Sequence, residues 1–297
     1  MLLASSVDEL KVCSVGGLLF RPFWRYGVSV ASNRYHHFAW YHGMELFEAA
    51  FSTQTFARHA HEGFAIGAIV DGVGGYVCRG ESMTVPAGSL SLMNPQEAHT
   101  GHAAAGQVRY SMLYASESAV RAVLGLRVLR GFPDIATRDR DLKVTRALAR
   151  LTHGLHAPGT TDRRLVAEEA MHDILALTFT HYARADLRQP GREPVAIQRM
   201  IDRIRSGVET GEALSLADLA ADTGWNPSYL IRATARATGM TPHGHVLHAR
   251  VEFARRLLLD GMPAAQAALA AGFSDQAHLI RHFRRHYGVT PGALIRH

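Results

Sequence analysis

The chain has 297 residues, 47% of them hydrophobic, and a formal net charge of +6 at pH 7. About two domains are expected, the basic excess favours a polyanionic partner, and Cys13 and Cys78 alone exclude a disulfide framework. No apolar run reaches membrane-spanning length and arginines 21, 25 and 34 interrupt the N-terminal region, so neither a membrane span nor a signal peptide is read and a cytoplasmic location is expected.

Residues 1–35 carry no usable pattern and read as an N-terminal extension. Residues 36–115 read as a β-barrel. Between Phe56 and Tyr114 helical periodicity is absent, and short alternating runs are separated by glycines. Ala65–Val70 leads to a turn at Asp71-Gly72, followed by Gly75–Cys78. Met83–Val85 precedes Pro86-Ala87-Gly88, Leu90–Met93 precedes Asn94-Pro95, and Val108–Leu113 forms the last run. His59 and His61, two residues apart on a strand, point to one face.

Residues 116–184 read as helical. Leu142, Leu148, Leu151 and Leu155 form one apolar stripe within Arg138–Leu155; Leu165, Met171, Ile174, Leu175, Phe179 and Tyr182 form another within Asp162–Arg184. Such stripes either pack on the barrel or pair two copies of the chain. Residues 185–194 are a polar linker bearing proline and glycine.

Over residues 195–297 the chain repeats itself, and an internal repeat defines the structural unit. Leu230-Ile231-Arg232, Arg236, Gly239 and Thr241-Pro242 recur 49 positions later as Leu279-Ile280-Arg281, Arg285, Gly288 and Thr290-Pro291. Each copy is two short helices joined at Gly224 or Gly272, a helix-turn-helix. In the first, Ser228 is the expected N-cap; Leu230, Ala233, Thr234 and Ala237 face inward, while Ser228, Ile231, Arg232, Ala235 and Arg236 face outward. In the second, Ser274 or Asp275 caps, Leu279, Phe283 and Tyr287 face inward, and Gln276, Ala277, Ile280, Arg281, Arg284 and Arg285 face outward. An apolar face backed by a cationic one suits a DNA major groove. Pro242 opens a joining helix of roughly 17 residues, about 25 Å long, that would hold both units at a fixed separation.

The stretch Ala267–Pro291, AALAAGFSDQAHLIRHFRRHYGVTP, resembles the signature of the AraC/XylS family of bacterial transcription regulators. HAHEGFAIGAI, GGYVCRG, PAGSLSLMNPQEAH and RYSMLY, in that order, resemble the cupin-like effector domain that precedes it. The resemblance implies an α+β multidomain chain: a cupin-like barrel, dimerisation helices, and an all-α domain with two helix-turn-helix units on a linker helix. It places base-reading positions on Ser228, Ile231, Arg232 and Arg236, and on Gln276, Ala277, Ile280 and Arg281. Two residues depart from the family pattern: Thr234 replaces a large aromatic and His245 replaces a tyrosine, which predicts a less rigid first unit. Metal-binding cupins carry a glutamate where Ala65 and Ile66 stand and a histidine where Ser91 stands, so neither metal nor cofactor is expected. His59, His61 and His99, with Tyr76, are then either pocket donors for an organic effector or structural residues. The implied function is a ligand-responsive transcription regulator, an activator and not an enzyme, working through double-stranded DNA, RNA polymerase and a homodimer. The alternatives are a cupin enzyme with an accessory DNA-binding region, favoured by a full ligand set, and a ligand-independent DNA-binding protein, favoured by a fully packed barrel.

Overall fold

The computed structural model describes residues 33–41, 43–156, 162–191 and 193–294. The extension expected over residues 1–35 lies almost wholly outside the described residues. The first domain contains β1 (Arg34–His37), β2 (Met44–Phe51), β3 (Thr55–His59), β4 (Phe64–Cys78), β5 (Glu81–Pro86), β6 (Ser89–Met93) and β7 (His99–Ala115). There follow α1 (Glu117–Leu124), β8 (Ala136–Arg138), α2 (Lys143–His156) and α3 (Arg163–Tyr182). All strand pairs are antiparallel, in the order β1-β2-β7-β4-β6-β8, with β3 also on β7 and β5 on β4.

The turn expected at Asp71-Gly72 does not form. β4 runs through it as one strand whose register with β7 shifts between Ile69 and Gly74. Gly72 takes φ +74°, and a Cβ there would lie 1.9 Å from the Gln107 carbonyl oxygen. Glycine therefore permits a bulge that bends the strand and sends its two halves to different neighbours: Ala65–Ala68 pairs with β6, Val73–Cys78 with β5. The sheet curls round a cavity lined from β1 through β7. Both faces of β4 are buried over Phe64–Ile69, which explains the apolar run there. Phe64, Ile66 and Ala68 join the core under the helices, whereas Ala65, Ile69 and Tyr76 join the inner one.

The helical stripes are consumed within the chain. Met171, Ile174, Leu175 and Phe179 of α3 pack with Leu148 and Leu151 of α2 against the sheet. The Phe179 ring meets Phe64 edge-on, with centroids 4.9 Å apart.

The second domain holds α4 (Pro194–Thr210), α5 (Leu216–Thr223), α6 (Pro227–Thr238), α7 (Pro242–Leu259), α8 (Ala264–Ala270), α9 (Gln276–Tyr287) and α10 (Pro291–Leu294). Ser215 and Asp218 close a capping box on α5. Gly224 turns the chain at φ +69° and Gly272 at φ +81°. Asn226, rather than Ser228, caps α6, because Pro227 takes the first helical position, where its missing N–H costs nothing. Asp275 caps α9. The 18-residue α7 serves both units: Val246 and Ala249 join the core of the first, and Val251, Ala254 and Leu258 join that of the second. Thr234 is fully buried, its hydroxyl donating to the Leu230 carbonyl (2.8 Å), and His245 Nε2 lies 2.9 Å from Thr238 Oγ1, so both departures from the family pattern are internally bonded.

Candidate nucleic-acid interface and effector cavity

The second recognition helix presents the face read from its periodicity. Leu279 and Phe283 are buried, while Gln276, Ala277, Arg281, Arg284 and Arg285 are exposed and Ile280 is half-exposed. Asp275 accepts from the His278 amide (2.6 Å), which fixes the start of the helix and hence the direction of Gln276 and Ala277.

The first recognition helix differs. Ser228 and Ile231, expected to face outward, are buried, and Arg232 is half-buried. Helices α1 and α3 pack on α6, and the linker crosses it. Ser228 Oγ lies 3.0 Å from His172 Nε2 of α3. Arg232 donates to the Arg188 carbonyl (2.8 Å), and Arg236, itself exposed, to the Pro190 carbonyl (3.0 Å). Arg188 also stacks over Tyr229, whose hydroxyl accepts from the Gly191 amide and donates to Glu193. The linker thus holds Arg232 and Arg236, and α3 holds Ser228, three of the four positions that the resemblance assigns to base reading on this helix.

Sequence reading missed the element that joins the domains. One side of α3 packs on the sheet; another reaches the first helix-turn-helix unit and α7, which both units share. Glu168 accepts from the Leu216 amide at the start of α5, and Glu169 from the His243 amide at the start of α7 (2.7 Å). Asp162, which precedes α3, pairs with Arg250 and lies 3.1 Å from His243 Nε2. Arg250 in turn donates to the Gly272 carbonyl in the second unit's turn (2.9 Å). Burial pushes the Asp162 carboxyl up, but the His243 hydrogen bond and the Arg250 charge outweigh it and hold the group below the usual aspartate range. The available signal was Glu168, Glu169 and His172 set among the apolar residues of α3, with Asp162 just before it.

In the first domain a cavity of about 300 Å³ opens within the curled sheet. His59, His61 and His99 line it together, with ring centroids 4.5 to 5.1 Å apart. His99, expected in a loop, is the first residue of β7, directly opposite His59 on β3. Burial, reinforced by the neighbouring His99 and His59, lowers the His61 pKa to about 4, and burial also lowers that of His99. Tyr76 lines the cavity, yet its hydroxyl is committed to the Ile135 carbonyl (2.7 Å). Aromatic walls from Phe47, Phe51, Phe56, Tyr110 and Tyr114 surround the histidines. Such a site admits a small apolar body with a few oriented polar contacts.

An AraC-like ligand binding domain matches residues 41–177, and a helix-turn-helix domain matches residues 219–297. The uncharacterized HTH-type transcriptional regulator YbfI of Bacillus subtilis is 27% identical over 76% of this chain and 82% of its own length. The transcriptional activator NphR of a Rhodococcus species is 30% identical over 40% of this chain and 36% of its own. Unsaturated fatty acid bound ToxT from Vibrio cholerae aligns with 86% of this chain and 95% of that chain, at 14% identity and a TM-score of 0.34. With an AraC-like ligand-binding domain in front and a helix-turn-helix domain behind, the chain belongs to the AraC/XylS family of transcription regulators.

Proposed function

We propose that this regulator is an activator gated by a small organic effector, and that its gate is the packing of α3 and the linker on the first recognition helix. The observation that carries the reading is the asymmetry of the two units: the Arg281 face of α9 is open, while Ser228 and Ile231 of α6 are buried. Recognition helices read bases with their N-terminal residues, so only one unit is ready to read. An effector in the cavity shifts the balance only if it binds the undocked arrangement better. α3 is the route, because it lies on the sheet, on the first unit and on α7, which serves both units.

The cavity supports a bound effector over a ligand-independent DNA-binding protein, which would have a packed barrel. The cupin-enzyme alternative needs a four-ligand set, and Ala65, Ile66 and Ser91 stand at two of its places. The reading extends to cytoplasmic action, contact with RNA polymerase and pairing of two copies. Because the apolar stripes of α2 and α3 are buried within the chain, pairing uses another surface. No described helix is long and apolar enough to cross a membrane.

His172→Ala in the full chain tests the gate. It removes the contact with Ser228 and leaves every exposed DNA-facing residue in place. Loss of one buried hydrogen bond from the docked form, about 1 kcal/mol, should tighten effector-free binding to a cognate operator roughly fivefold, measured by fluorescence anisotropy. A folded variant with unchanged or weaker DNA affinity would sink the gate.

A further inference from the structure

Three groups of histidines and carboxylates among the described residues bring potential ligand atoms together. One, His59, His61 and His99, belongs to the cavity already described. In another, His36 Nε2 and His156 Nε2 both lie against a single oxygen of Glu48, at 2.6 and 2.9 Å, so each ring is already bonded. The third, His248, Glu252 and His286, lies in the DNA-binding domain and is bonded only in part. Its residues hold none of the cupin ligand positions, so the ligands missing from the barrel say nothing of it.

His248 and Glu252 stand four residues apart on α7, a spacing that puts both on one face of the helix. His286, in the last turn of α9, meets them from the neighbouring helix. Its ring centroid is 4.8 Å from that of His248, and its Nε2 is 3.4 Å from Glu252 Oε1. Tyr287 donates its hydroxyl to the same Oε1, and Arg255 lies over the phenol ring, 5.7 Å from its centre. An outer hydrogen bond of this kind orients a metal-ligating carboxylate. Glu252 Oε2 and both ring nitrogens of His248 make no hydrogen bond among the described residues. One ligand atom from each residue lies within 4.8 Å of the others. Zinc–nitrogen bonds of about 2.0–2.1 Å set ligand atoms about 3.3 Å apart round a tetrahedron, which rotation of the His248 and Glu252 side chains can reach. The His286 and Glu252 side chains are each about a third exposed, so an ion has a way in.

We propose that His248, Glu252 and His286 bind one divalent first-row transition metal ion, zinc fitting best, which staples the end of the second recognition helix to α7. Two imidazoles and a carboxylate are a zinc donor set, and water completes the tetrahedron from the exposed side. Asp275 fixes the start of α9, and the ion ties down its other end. A recognition helix ordered before DNA arrives binds at a lower cost. Metal and operator then strengthen each other by the same factor. Metal binding stands on the three side chains; its effect on the operator rests on the reading that α9 is the unit ready to read bases.

The test uses the full chain, stripped with a chelator, re-equilibrated with zinc and freed of excess ion by gel filtration. Elemental analysis should find one zinc fewer per chain in His248→Ala and in His286→Ala than in the parent, with no loss in His156→Ala. His286→Cys, which keeps a ligand atom, should retain the ion. Tyr287→Phe keeps the ring and removes the outer hydrogen bond, so it should weaken zinc binding by about 10- to 100-fold in competition with a chromophoric chelator. Equal zinc in the parent and a His248→Ala/His286→Ala double variant, or an equal loss in His156→Ala, overturns the site. On the same samples, zinc should tighten operator binding by about fivefold or more in the parent and leave that of His286→Ala unchanged. Zinc bound at this site with no change in operator affinity overturns the staple's effect on DNA. A zinc-loaded chain that ignores the operator altogether counts against the regulator reading and not against the metal.

Discussion

Arg281 and Arg285 share the exposed face of α9, one turn apart, and on the proposed reading their positions along the helix suit them to different tasks. Arg281 sits near the helix start fixed by Asp275, where a guanidinium can reach guanine O6 and N7; Arg285 lies nearer the end, suited to phosphate. Arg281→Ala should cost about 1–3 kcal/mol at the cognate site and relax preference at one base pair. Arg285→Ala should weaken all sequences alike and lower the salt slope by roughly one unit. Titrations against single-base operator variants at several salt concentrations decide between these roles, and the reverse pattern exchanges them. The face of α9 was legible because every residue that buries Leu279 and Phe283 belongs to the same repeat or to α7. That of α6 was not. The atoms covering Ser228 and Arg232 come from His172 and Arg188, 56 and 44 positions away, and no local period encodes them.

At the level of the elements, periodicity located α3 to within a residue or two and the two helix-turn-helix units with their turns. It failed where a dipeptide has two physical uses. Asp-Gly marks a hairpin turn when both flanking runs pair with each other; here the flanks of Asp71-Gly72 pair with β6 and β5 instead, and the glycine makes a bulge. The same long-range pairing explains why His59, His61 and His99 could be named as a group while His99 was expected in a loop: it meets His59 only once β7 lies against β3. Gly72→Ala should therefore be far worse than a turn substitution. A Cβ would combine left-handed strain of about 1–3 kcal/mol with a collision against the Gln107 carbonyl. A loss of more than about 2 kcal/mol in urea unfolding is expected; a variant within about 0.5 kcal/mol of the parent would mean that β7 yields easily at this point.

Across the whole molecule, the contact between domains is polar where it meets α7. Asp162 faces Arg250 and His243 from α7 and also feels His278 from α9. Its carboxyl is held below the usual range, so the stabilisation it supplies is present above the unfolded aspartate pKa of about 3.9 and is lost as pH falls through the lower folded value. Asp162→Asn removes the carboxylate that pairs with buried Arg250. It should destabilise the full chain by about 3–5 kcal/mol at neutral pH, and the difference should shrink as pH falls below about 4. Thermal unfolding of both proteins from pH 3 to pH 7 measures this; a deficit that is constant with pH would mean that packing, not charge, is what Asp162 contributes.

Arg232 adds something of another kind. Its Nε, fully enclosed, has no hydrogen-bond partner among the described residues. A buried donor left unmade costs about 1–3 kcal/mol, and the cost falls only on the docked arrangement, since an undocked α6 offers the same N–H to water or to DNA. On the proposed gating, that single atom raises the undocked population by roughly 5- to 150-fold over what a fully bonded docking surface would allow. The regulator's background output would then be written into Arg232: the promoter leaks without inducer, and a neighbour able to accept from that nitrogen would make it quieter.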